Sequence, residues 1–236
     1  METLALLAWG PTGWGDKLAA GAAITIALSL ATLPLGIAAG FFVALGKQST
    51  DPLIKLSAEI YTTVFRGLPE LLTLFLVYYG AQYAFSAVSK LVVGHPVEIN
   101  AFLAGMVALG LVLSSYSSET FLSAFRGIPH GQYEGAYAVG LSRYLTLRLV
   151  IVPQLIRLAL PGLSNLWLNL MKDTALVSVI SLEEIMRQAQ NAVLFTKLPF
   201  TFYLVAAFMY LGLTVLAMTG MHFLEKRAAR GFVRTT

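Results

Sequence analysis

The sequence predicts an all-α, polytopic membrane protein: a helix bundle with about five transmembrane helices, its N-terminus outside and its C-terminus inside. Three observations carry this reading. Of the 236 residues, 57% are hydrophobic and only 12% are charged, with a mean hydropathy of +0.74. Water-soluble domains carry roughly 25% charged residues, so much of this surface has to face lipid. Several stretches long enough to cross a bilayer hold no charge at all. Finally, segments such as LFLVYYGAQYAF and FMYLGLTVLAM are apolar on every side, whereas barrel strands alternate apolar and polar residues.

The elements follow in chain order. METLALLAWGPTGWG lacks a basic start, and Gly10-Pro11 ends its apolar run, so it reads as a membrane-surface segment or frayed start rather than a signal peptide. Residues 18–46 form the first span, 71–89 the second and 99–118 the third, each free of charge. A charge at the bilayer centre costs roughly 2.5–3.5 kcal/mol, and about 20 helical residues cross the hydrocarbon core. The fourth span, 158–182, is apolar apart from Lys172-Asp173; the fifth covers 198–224 without charge. Pro34, Pro69 and Pro161 fall inside or at the ends of spans and predict kinks. One transmembrane domain over residues 1–236 results, with a loop at 126–157.

Orientation follows from Lys and Arg. With the N-terminus outside, eleven of the sixteen basic residues lie inside: Lys47, Lys55, Arg66, Arg126, Arg143, Arg148, Arg157, Lys226, Arg227, Arg230 and Arg234. That excess selects N-out, C-in.

Residues 126–157 are too polar to cross the membrane and too long for a plain connector. Tyr133, Ala136, Tyr137, Val139 and Leu141, then Leu145, Leu147, Leu149 and Val150, suit two short amphipathic helices. Gly140 suits the end of one helix and Ser142 the cap of the next. The local prediction is a helix-turn-helix projecting into the cytoplasm.

Here the residues carry a resemblance. Glu134-Gly135-Ala136, Gly140 four residues on, nine further residues and then Val150-Ile151-Val152-Pro153 resemble the ATPase-contacting loop of ABC importer permeases. YTTVFRGLPELLTLFLVYYG (61–80), IPHGQYEGA (128–136) and ALPGLSNLWLNLMKDTALVSVISLEEI (159–185) look like the polar amino-acid uptake branch of that family. FLEKR (223–227) looks like the end of its basic amino-acid and opine members, the Q-type histidine permease among them. Gly135, Val150 and Val152 depart conservatively from the pattern, and Leu122 stands where many amino-acid permeases have arginine.

The resemblance implies a permease subunit of an ATP-driven importer of polar, chiefly basic, amino acids or opines in the bacterial inner membrane. It implies that Glu134, Gly135, Ala136, Gly140 and Pro153 contact an ATPase, and that Arg66, Gly67 and Pro69 have a structural or gating role. Its implied partners are an ATP-binding subunit with a P-loop, a second homologous permease of the M type (a homodimer being the alternative) and a periplasmic amino-acid-binding protein. The chain itself has no G-x-x-x-x-G-K-[ST] motif, so nucleotide binding belongs elsewhere.

Ionisable and polar residues inside spans are candidates for the substrate pathway. Glu119 ends the run Ser114-Ser115-Tyr116-Ser117-Ser118, and Ser115, Ser118 and Glu119 suit a hydrated face that holds a cationic amino acid. The competing reading is that the serines are packing residues and that Glu119 pairs with Arg66 or Arg126. Lys172-Asp173 reads as a local ion pair or a substrate contact, with Asn165 and Asn169 extending its polar face. Arg66 and Glu70 share a face only if the helix survives Gly67 and Pro69.

Other classes are weaker. No cysteine exists for a disulfide, thiolate metal site or nucleophile, and His95, His130 and His222 lack metal-ligand spacing. No catalytic residue, metal or cofactor is therefore assigned. A net charge of +4 does not suggest nucleic acid. An ion-coupled secondary transporter is the alternative function, but the chain has no internal repeat of the kind common in that class. An intramembrane hydrolase would need a base within a span.

Overall fold

The computed structural model describes residues 5–10, 13–92, 95 and 97–228. Arg230 and Arg234, and residues 1–4, 11 and 12 of the N-terminal segment, lie outside them. The described residues form helices α1 (Gly15–Lys47), α2 (Pro52–Gly67), α3 (Glu70–Val92), α4 (Ala101–Arg126), α5 (His130–Ala138), α6 (Arg143–Thr146), α7 (Val152–Asp173), α8 (Ile185–Thr196) and α9 (Pro199–Ala228). A π-helical turn (Leu147–Ile151) joins α6 to α7, and a 3-10 turn (Thr174–Ile180) continues α7. Five stretches are long and apolar enough to cross a membrane: Gly15–Lys47, Glu70–Val92, Ala101–Arg126, Arg143–Ile180 and Pro199–Ala228. The protein is thus a multi-pass, all-α membrane bundle.

α4 is its centre, with most of its apolar stretch buried, and its most extensive contact is with α1. The two run parallel at close range. A Cβ on Gly36 would stand 2.5 Å from the Leu113 side chain, and one on Gly40 would stand 1.9 Å from Ser117 Oγ. Small residues permit this approach, and close packing drives helix association where lipid supplies no hydrophobic contrast. Ser114, Ser115, Ser117 and Ser118 are fully buried in the core of α4. Their hydroxyls donate to the carbonyls of Leu111 (2.8 Å), Val112 (2.7 Å), Gly36 (3.1 Å) and Ser115 (2.7 Å), respectively.

α1 is 33 residues long, or about 50 Å, and overshoots a hydrocarbon core of about 30 Å. Its first turns pack against α8 and α9. Residues 5–8 fold back onto its start, where the Trp14 amide donates to the Leu6 carbonyl at 2.8 Å and the Gly15 amide to that of Ala8 at 3.2 Å. The described part of the N-terminal segment is therefore tied down rather than frayed. Glu184, fully buried, caps α8 by accepting from the amides of Met186 (2.9 Å) and Arg187 (2.8 Å), and it also accepts from the Tyr210 hydroxyl of α9. Burial pushes its carboxyl above the usual carboxylate range, against the pull of those donors.

Two boundaries differ from the sequence-based expectation. The third span continues to Arg126 because Glu119 is paired, so its charge does not end the helix. Helix begins at Arg143 and runs into the fourth span through the π turn, so the second loop helix is the foot of that span. Pro153 follows the π turn directly within this continuous helix, so the irregular turn stands where the proline ring and its missing amide hydrogen interrupt regular α-helical bonding. Pro34 and Pro161 are accommodated inside α1 and α7, whereas at Pro69 the chain breaks.

The reversal between α5 and α6 is local in origin. Gly140 takes φ +81° and the Ser142 hydroxyl accepts from the Leu145 amide at 3.4 Å. Ala136 is buried, and Ile128, Ile151 and Leu155 join Phe121, Ala124 and Phe125 of α4 in one apolar cluster. Gln154 Nε2 donates to Gln132 Oε1 at 3.0 Å, tying α5 to α7. The loop is thus a packed extension of the bundle.

The α1–α4 contact predicts that Gly40→Leu lowers the thermal stability of the detergent-purified protein by about 1–3 kcal/mol or more, read as a falling melting temperature. An unchanged melting temperature contradicts the close approach.

Candidate functional site

Two helix breaks occur at mid-bundle. Pro69 holds Leu68 in extended backbone (φ −90°, ψ 143°), which ends α2 and lets α3 start at Glu70. α7 ends at Asp173 and gives way to the 3-10 turn. Non-helical backbone at membrane depth is tolerated where it is buried or lines a cavity, and here the residues flanking the two breaks, Glu70 and Asp173, line one.

That cleft has a volume of about 240 Å³. Leu109, Val112 and Leu113 of α4 and Leu166 and Leu170 of α7 supply apolar walls, while Glu70, Tyr116, Asn169 and Asp173 supply its polar groups. The carboxyls of Glu70 and Asp173 lie within side-chain hydrogen-bonding reach of each other. Glu70 is well placed at a helix N-terminus, and Asp173 is the last α-helical residue before the 3-10 turn. Two adjacent carboxylates in such a setting repel unless they share a proton or a cation lies between them. Asn169 can both donate and accept. Together these acceptors match the donors of a cation with several N–H groups.

A second cleft of about 470 Å³ lies further along the α4–α7 groove, lined by Glu119, Thr120, Ser123, Ala124, Gly127, Leu158 and Gly162. Glu119 Oε1 accepts from Lys47 Nζ of α1 and, at 3.0 Å, from Arg66 Nη1 of α2. The Arg66 guanidinium carbon sits 5.6 Å from the centroid of the Tyr116 ring.

The sequence-derived candidates are thus sorted. Asp173 and Asn169 line the first cleft and Glu119 the second. Ser115 and Ser118 line neither cleft: both are buried and bond to carbonyls of their own helix. Lys172 and Asn165 are exposed and outside the lining of either cleft. Lys172 and Asp173 form no ion pair within 4 Å, because Asp173 turns toward Glu70. Arg66 and Glu70 do not share a face; the break sends Arg66 to Glu119 and Glu70 to the cleft. Gly67 has open space where a Cβ would stand. In the loop, Glu134 and Gly135 are exposed, Ala136 is buried, Gly140 has open space around it and Pro153 is exposed. Among the described residues no three His, Asp or Glu side chains gather as a metal site.

Glu70, Tyr116 and Lys47 were missed as site residues. An acid directly after Gly-Leu-Pro was a readable sign for Glu70, since it marks the start of a new helix. Lys47 meets Glu119 across 72 residues, and no local pattern announces that.

Comparison with known proteins places these features in a lineage. Residues 32–230 match the model of the family described as the binding-protein-dependent transport system inner membrane component. The nopaline transport system permease protein of Agrobacterium fabrum is 39% identical over 230 residues, covering 97% of this chain and 98% of the relative. The histidine/lysine/arginine/ornithine transport system permease protein of Escherichia coli K12 is 35% identical, covering 94% and 97%. Among solved structures, an amino acid ABC transporter crystallised with histidines superposes with a TM-score of 0.77 at 31% identity, covering 91% of this chain and 95% of that one.

The buried, self-bonded serines generate a prediction. Ser115→Ala and Ser118→Ala each lower stability by no more than about 1 kcal/mol and leave ligand affinity unchanged in a binding assay. A shifted affinity returns these hydroxyls to the pathway.

Proposed function

The chain belongs to the family of binding-protein-dependent transport system inner membrane components, and from that premise we propose that it is the permease subunit of an ATP-driven importer of cationic amino acids or opines. The observation that carries the substrate class is the Glu70–Asp173 carboxyl pair in the first cleft. A guanidinium offers a planar fork of donors that fits two carboxyl groups, and an ammonium offers three. Arginine bears the first and lysine the second; nopaline and octopine, as arginine derivatives, also bear a guanidinium. The relatives named for nopaline and for histidine, lysine, arginine and ornithine support the same class. The family match displaces the ion-coupled alternative.

The remaining parts follow from charge and shape. The excess of Lys and Arg around the 126–157 loop supports placing that face in the cytoplasm of a bacterial inner membrane, with the N-terminus outside. A separate P-loop ATPase then drives transport, and a binding protein delivers substrate to the opposite face. A rigid-body closure of the ATPase needs a stiff contact to move the spans. α5 suits that role: Glu134 and Gly135 are exposed on it, Ala136 anchors it and the Gln132–Gln154 bond ties it to α7. A second permease completes the pathway, an M-type companion being the favoured partner and another copy of this chain the alternative.

Two outcomes test this reading. In proteoliposomes holding the whole importer, Glu70→Gln combined with Asp173→Asn raises the KM for arginine uptake by about tenfold or more, equivalent to at least ~1.4 kcal/mol. Uptake that stays arginine-tight in that variant removes the pair from the site. Gly140→Leu, which forces a side chain into the left-handed region at a cost of about 1–3 kcal/mol, reduces both ATPase co-purification and uptake. Normal values for both eliminate the lever.

A further inference from the structure

Tyr116 lines the first cleft and Glu119 the second, and they are three residues apart on α4, which places them on one face a turn apart. The clefts follow one another along the same groove, against Leu166–Asp173 and then against Leu158–Gly162 of α7. Arg66 stands at the step between them. Its guanidinium packs on the Tyr116 ring, 5.6 Å from the centroid, and bonds Glu119 Oε1 at 3.0 Å. An aromatic face beside a carboxylate is a cation receptor, and here it already holds a guanidinium.

The two cations on Glu119 are not equivalent. The Lys47 side chain is 8% exposed and that of Arg66 is 43% exposed. Lys47 lies in the last turn of the long α1; Arg66 lies in the last turn of α2, next to the break, with Gly67 beside it in open space. Lys47 is a fixed counter-charge, whereas Arg66 can be withdrawn by a small movement at Gly67–Pro69.

We propose that Tyr116 and Glu119 form a second cation subsite between the carboxyl pair and the loop face, and that the Arg66 guanidinium fills it as a tethered stand-in for the cationic side chain of a passing substrate. The inference rests on reading the first cleft as a site for cationic substrates. Its logic is exchange. A guanidinium or ammonium released from Glu70 and Asp173 next meets a ring and a carboxylate already matched to a cation, and takes the place of Arg66. The charge at the subsite is the same before and after, so Glu119 keeps two cationic partners, Lys47 and the incoming group, through the step. A neutral side chain offers no replacement charge and leaves Arg66 in place. With no substrate present, Arg66 keeps the step closed.

The test uses the complete importer in proteoliposomes: this chain, its companion permease, ATPase and binding protein. ATP-independent efflux of preloaded radiolabelled arginine reports whether the step is closed. Arg66→Ala raises that efflux by about tenfold, from the loss of one ion pair and one cation–π contact together. Added methylguanidinium chloride refills the subsite and returns efflux toward the wild-type rate. Tetramethylammonium chloride at the same ionic strength, which has no N–H donor, does not. Adding Glu119→Gln to Arg66→Ala abolishes the rescue. Arg66→Gln serves in the same assay should the alanine variant fail to assemble. Efflux that stays at the wild-type rate in an assembled Arg66 variant overturns the proposal. So does raised efflux that methylguanidinium leaves unaltered, which reduces Arg66 to a structural tie. ATP-driven arginine uptake by the wild type in the same vesicles reports separately on the cationic-substrate reading.

Discussion

The contact between α1 and α4 is the constraint on which the rest of the bundle depends. Gly36 and Gly40 admit Leu113 and Ser117 to distances that no Cβ would allow, and the Ser117 hydroxyl closes the gap by donating to the Gly36 carbonyl. Because the helices run parallel and in fixed register, Lys47 arrives beside Glu119 at the same end of the pair. The adjoining face of α4 carries Tyr116 and the apolar walls of the first cleft, with Leu113 at the edge shared by both. Lipid gives no reward for hiding apolar surface, so this fit of small residues has to hold the centre together.

Around that centre, the interruptions matter more than the regular helices. An unbroken α2–α3 or an unbroken α7 would satisfy its own backbone and present no polar termini in the membrane. The break at Leu68–Pro69 presents Glu70 at the start of a helix, and the change to 3-10 geometry after Asp173 ends another helix beside it. Interrupted spans that meet at mid-depth are a recurrent way to build a polar site in hydrocarbon.

What the sequence revealed depended on range. The five spans were legible because a helix of about 20 residues without a charge suits hydrocarbon and is rarely found facing water. Gly140 and Ser142 were legible because a left-handed turn and a helix cap are decided within a few residues. The family resemblance rested on ordered blocks, and the comparisons support it along the chain. Pairings across the bundle were legible only in part: Arg66 was one of two arginines the sequence offered to Glu119 and does bond it, whereas Lys47 of α1 was not foreseen. Lys172 and Asp173 looked like neighbours in an ion pair, but adjacent residues on a helix point about 100° apart, and only Asp173 faces the cleft. The serines were open to two readings, a wet face or small packing residues; burial and bonds to carbonyls one turn back are the features of the second.

α7 also bears on how the chain enters its membrane. Its second half carries Asn165, Asn169, Lys172 and Asp173, whereas residues 18–46 of α1 carry no charge. Left alone among acyl chains, such a segment would have no shelter for its carboxylate or amides. α4 covers one flank and α3 brings Glu70 to another, and both leave the ribosome earlier. Synthesis order therefore matches the order of need, because the helices that shield the polar segment are in place before it arrives.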